Sequence, residues 1–191
     1  MKKFLTVLLV IAVMFTFSFG TAMAATDADA FSAAVAAYKS AKTYDGNGYL
    51  AADVETTPGW NGAISKTVFE AAIDAWADNV DLASVDYVNA GALKIEAITA
   101  MLNAIKTDVE AAQYDIELAK LNDLIASIDL AAYNKTGKTN HQTAIEAAET
   151  GVVLHGGTKD ATNSKNIKDT LIVNLKSAVD TNKTNLLSEA A

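Results

Sequence analysis

From Ala92 to Ile128 the chain runs for 37 residues without a glycine or a proline, and no other feature restricts its fold as strongly. Ile98, Leu102, Ile105, Val109, Ala112 and Ile116 recur at three- and four-residue steps, the spacing of one apolar helical face. Unbroken, such a run reaches ~55 Å. The apolar phase then slips to Leu118, Leu121, Ile125 and Ile128, and Thr107 with Glu110 has the spacing of a capping box. One helix or two both fit this text.

The rest of the chain is punctuated differently. Asp27 and Asp29 open a helical pattern carried by Phe31, Ala34, Val35, Tyr38 and Ala41, with the acids at the positive end of the helix dipole. A glycine-rich, aromatic segment from Asp45 to Gly62 follows, holding the single proline, Pro58. A helix is expected from about Ser65, with Phe69, Ala72, Ile73, Trp76 and Val80 on one face. After the turn-like stretch Tyr133 to Gly137, Thr139 and Gln142 suit a cap for a short helix that stops at Gly151. Val152 to Leu154 reads as a short strand or buried loop, and a last helix runs from about Asn163 to Leu187. The expected fold class is mainly α: an elongated bundle of about five helices with one long Gly/aromatic loop.

Residues 1–24 have the form of a cleaved export signal. Lys2 and Lys3 precede an uncharged run from Phe4 to Phe19, and Ala22-Met23-Ala24 offers the small residues a signal peptidase reads, with cleavage between Ala24 and Ala25. The run is short for a membrane span, so no stable span is expected after cleavage. Residues 25–191 are then expected to form a single helical domain, more polar over 135–191, located outside the cell at its surface or in the periplasm.

Without the leader, 13 lysines face 23 acidic residues, a net charge of −10, and there is no arginine. Nucleic acid is therefore excluded as a partner on charge and on the missing bidentate fork. The absence of cysteine removes disulfides and thiolate metal sites, so packing must hold the fold.

Chemistry is sparse. The stretch from Lys42 to Glu55 approaches a calcium loop. With Gly48 at its sixth position, Asp45 and Asn47 take the third and fifth, but Thr43 and Val54 occupy the outer ligand positions. Asp53 and Glu55 flank the twelfth. Asp45, Asn47, Asp53 and Glu55 are thus candidate ligands for weak calcium, the one cofactor the sequence admits. Tyr44, Tyr49 and Trp60 are candidate stacking surfaces for wall polysaccharide. His141 and His155 lack zinc-motif spacing, and His141 falls at an expected helix cap facing solvent. The carboxylate pairs Asp74/Asp78 and Asp115/Glu117 suit solvated helix faces. The chain is not expected to be an enzyme.

The leader MKKFLTVLLVIAVMFTFSFGTAMA followed by TDADAFSAAVAAYKSAK resembles the beginnings of bacterial surface-layer and related cell-envelope proteins. The likeness covers about the first forty residues, and no S-layer homology repeat accompanies it. It implies a secreted, noncatalytic structural protein of surface-layer or extracellular-fibre type, partnered by itself or by other envelope proteins. The alternative is a secreted module binding wall polysaccharide or calcium through residues 44–60.

Overall fold

A computed structural model describes residues 27–52, 60–83, 86–154 and 157–187. The expected signal segment, with Ala24 and Ala25, lies outside them. The described chain is mainly α-helical. Residues 27–40 form α1, and the strands β1 (Thr43–Tyr44) and β2 (Leu50–Ala52) pair as a ribbon. Helix α2 (Lys66–Ala77) is followed by the hairpin β3 (Val88–Asn89) and β4 (Ala92–Leu93), then by α3 (Ile95–Ala126) and α4 (Lys135–Leu154). A final helical run joins α5 (Ala161–Asn166), a π-turn (Ile167–Leu171) and α6 (Ile172–Thr181).

The chain divides into two compact units. One takes residues up to Thr43 with Glu70–Ile105, and the other takes Tyr44–Phe69 with Lys106–Ala191. In the first unit Phe31, Val35, Ile73, Met101 and Leu102 are buried. Phe31, Trp76 and Tyr87 meet as a mutual trio of tilted and edge-to-face rings, with centroids 5.7 to 6.1 Å apart, a geometry that adds to the area term. In the second unit Tyr114, Leu121, Ala148, Ile167, Leu171, Ile172 and Leu175 form the core.

Local chemistry sets the element ends. The Ser65 hydroxyl accepts from Val68 N–H at 3.5 Å at the start of α2. Glu96 lies in the first turn of α3, where a carboxylate suits the dipole. The Asp160 carboxylate accepts from Asn163 N–H at 2.7 Å, capping α5. The β3–β4 hairpin pairs Val88 with Leu93 and Asn89 with Ala92, leaving a two-residue turn in which Ala90 (φ 51) and Gly91 (φ 81) are both left-handed. A type I′ turn of this kind matches the twist of the strands it joins.

One local plan occurs twice, 29 residues apart. Gly62 (φ 67) and Gly91 (φ 81) are left-handed. Each is followed by Ala and a buried aliphatic residue, Ile64 or Leu93, that leads directly into a helix. Only the glycine, the alanine and the apolar character are common to the two starts, too little text to announce a repeat.

Several expected boundaries move. Helix α4 begins at Lys135, before Thr139, because the Asn134 side chain accepts from Gly137 N–H at 2.9 Å and supplies the cap. Nor does the helix stop at Gly151: Val152 to Leu154 are helical, with Val153 and Leu154 exposed. Gly151 serves packing instead, since a Cβ there would stand 2.6 Å from Leu171 Cδ2. The last helix ends at Thr181, and the chain tightens into a 3₁₀ turn, Asn182–Asn185. Leu186 then forms a β-bridge with Tyr133.

Residues 95–126 form one helix. Its apparent phase slip has a different cause from a break. Ala112 and Ile116 are exposed, whereas Glu110, Gln113, Tyr114 and Glu117 are buried. The inward face stays continuous; polar residues occupy part of it.

Candidate functional site

Three of those polar residues, Glu110, Gln113 and Glu117, follow helical spacing along α3 and lie under the aromatic segment in the second unit. Gln113 anchors the end of that segment: its Oε1 accepts from Ser65 N–H at 3.0 Å, and its Nε2 donates to Glu117 Oε1 at 2.6 Å. The Tyr49 hydroxyl donates to the same Glu117 oxygen, and Lys120 Nζ reaches both Glu117 Oε1 and the Tyr49 oxygen at 2.9 Å. Three donors, Tyr49, Gln113 and Lys120, thus converge on one carboxylate that is 1% exposed. A neighbouring link repeats the arrangement, with Trp60 Nε1 donating to Glu110 Oε1 at 2.9 Å and Lys106 pairing with the same oxygen.

The electrostatics follow from this burial. Burial lifts the Tyr49 phenol above its ordinary range, and the bond to Glu117 lifts it further. Burial pulls Lys120 down, but its bonds to Tyr49 and Glu117 outweigh that and leave it above the usual lysine value. The phenol therefore keeps its proton and the lysine its charge at neutral pH, which makes the cluster a fixed charge-assisted clamp. It holds the loop to α3.

The expected site residues are distributed unevenly. Tyr49 and Trp60 are 5% and 3% exposed, so their rings present no open stacking face. Trp60 packs edge-on against Phe69 at 6.0 Å, and Lys168 Nζ lies 3.8 Å from the Tyr49 ring centre. Tyr44 is half-buried with Lys66 Nζ 5.6 Å from its ring centre. Asp45 accepts from Asn47 N–H at 2.8 Å and Tyr49 N–H at 2.9 Å. The Tyr49 bond is the main reason its carboxyl sits below the usual range. Asn47 is exposed in the same turn, while Asp53 and Glu55 lie outside the described residues. Among the described residues no three His, Asp or Glu side chains come together as a metal-binding group.

Other expectations are corrected. His141 does not face solvent: it is fully buried in α4 with its ring centre 4.2 Å from that of Tyr133. Desolvation holds its pKa below the ordinary value. Asp115 and Glu117 have opposite fates, since Asp115 pairs at the surface with Lys159 at 2.8 Å while Glu117 is interior. His155 lies outside the described residues.

The clamp residues were legible only as polar letters at i, i+3 and i+7 where the apolar stripe faded. That signal existed, but it reads equally as a solvated face. No helix among the described residues is long and apolar enough to cross a membrane. No protein-family model matches the chain, and neither a curated protein nor a solved structure matches it.

Proposed function

We propose that the chain is a noncatalytic structural protein that associates with copies of itself outside the cell. The observation that carries this reading is the use of Tyr49 and Trp60 as internal ties to Glu117 and Glu110. The segment richest in recognition chemistry thereby stiffens the fold. Large apolar side chains face outward elsewhere in the second unit, with Val153 75% and Leu154 78% exposed at the end of α4. Exposed aliphatic groups of this size are contact material for a neighbouring protein.

Light scattering of the protein recovered from its producing cells tests the reading. Mass that grows with protein concentration supports it. A single-chain species at every concentration that is retained on wall polysaccharide, and released by Tyr44→Ala, transfers the assignment to the binding-module alternative.

A further inference from the structure

His141 is 0% exposed, yet neither of its ring nitrogens has a hydrogen-bond partner among the described residues. A buried base tied to nothing is a proton acceptor kept from protons only by what covers it.

The cover is light. Tyr133 lies against the ring, and one turn earlier on the same face of α4 a Cβ on Gly137 would stand 2.9 Å from the Cβ atoms of both Tyr133 and Asn185. Residues 182–187 thus close over the start of α4 beside His141. Two backbone bonds hold them: Asn134 N–H donates to Asn185 C=O at 2.9 Å and Leu187 N–H to Ala132 C=O at 2.8 Å, flanking the Tyr133–Leu186 bridge. Asn140, next to His141 in the chain, donates to Asn182 Oδ1 at 2.8 Å, and Asn185 donates to the same oxygen at 3.2 Å. Asn182 is the buried residue of the 3₁₀ turn, whereas Leu186 and Leu187 are 49% and 55% exposed. Opening this segment therefore forfeits a few polar bonds and little apolar burial, which places it at the low end of local unfolding energies.

No charge faces the ring from the elements around it. On α4 Lys135, Lys138 and Glu146 are exposed, as are Asp129 before the 3₁₀ turn Leu130–Ala132, Asp123 of α3 and Lys176 of α6. Asp180 and Lys183 are exposed and pair with each other at 2.6 Å. The titratable side chain in contact is Tyr133. Burial is accordingly the whole cause of the low His141 pKa. A proton placed on the ring inside the closed fold would be a buried charge without an acceptor, which costs more than opening a chain end.

We propose that residues 182–187 are a clasp that acid opens through His141. Once the clasp is open the imidazole meets water and takes a proton at about pH 6.5, so the open form gains about tenfold per pH unit below that value. Above it the closed form is unopposed. Release leaves the Ala132 C=O and the Asn134 N–H unpaired beside Tyr133. The device needs no second copy and is independent of the self-association proposed above.

Amide hydrogen exchange of the full chain between about pH 7.5 and 5 tests this. Protection at Asn134 and Leu187, corrected for intrinsic exchange, is expected to fall about tenfold per pH unit below about 6.5, while Leu121 and Leu175 in the core keep theirs. In His141→Leu the two clasp amides should show no such fall. Asn140→Ala removes one clasp bond and no titratable group. It should favour opening about fivefold, and so raise the midpoint of the His141 ring titration followed by NMR by about 0.7 pH unit. Linkage demands that shift, since whatever loosens the clasp eases protonation by the same factor. Protection at Asn134 and Leu187 that stays flat with pH in the wild type overturns the proposal. So does a loss shared equally by Leu121 and Leu175, which is global unfolding, or a His141 midpoint unmoved in Asn140→Ala. If His141→Leu does not fold, the wild type and Asn140→Ala decide the matter between them.

Discussion

Glu117 shows how much one residue can organise. Its Oε1 receives Tyr49, Gln113 and Lys120 in an almost water-free setting. Removing one donor leaves the buried charge less compensated, which costs more than the lost bond itself is worth in water. Tyr49→Phe is therefore expected to lower stability by about 1–3 kcal/mol in urea unfolding, with no change in helical content. His141 gives a residue-scale pH dependence. Its folded pKa is depressed by burial, so as pH falls through about 6.5 the unfolded chain takes up a proton that the folded chain resists. Stability is thus full above that pH and declines below it, until the folded pKa is passed. The decline between about pH 6.5 and 5 should be smaller in His141→Leu. Asp45 and Asp169, both with lowered pKa values, add their own loss only at more acidic pH.

At the scale of elements, two small residues make opposite predictions. Ala90 holds φ 51 in the β3–β4 turn, a left-handed conformation that costs an L-residue with a Cβ about 1–2 kcal/mol. Ala90→Gly removes that strain at some entropic cost, and thermal unfolding should show a net gain of about 0.5–1 kcal/mol. Gly137 behaves in reverse. Helix propensity alone would favour alanine by about 1 kcal/mol. However, a Cβ there would stand 2.9 Å from the Cβ atoms of both Tyr133 and Asn185. Those atoms cannot yield without moving the Tyr133–Leu186 bridge. Packing wins, and Gly137→Ala should destabilise by about 1–3 kcal/mol. Sequence reasoning took Gly151 as a stop and Tyr133 to Gly137 as a turn because glycine punctuates chains far more often than it permits close contact inside a helix. Asn134 and Leu171, the partners that reverse this, are identified only by folding.

For the molecule as a whole, calcium provides a simple measurement. Asp45 is already engaged by two backbone N–H groups, which opposes tight metal binding in its turn. A site with a dissociation constant of about 1 mM adds no more than about 0.4 kcal/mol at equal calcium. The melting temperature is accordingly expected to move by less than about 2 °C on adding millimolar calcium, and a larger rise would establish a real site. The amino-acid sequence by itself determined the helical class, the five helical runs and the reliance on packing. Apolar periodicity, scarce proline and missing cysteine act locally and can be read locally. Tertiary structure alone decided that Tyr49 and Trp60 turn inward and that α3 stays whole across its fading stripe. The inward turn of Tyr49 and Trp60 depends on partners 68 and 50 residues away in sequence, and the value of a buried charge is fixed only when such a partner arrives.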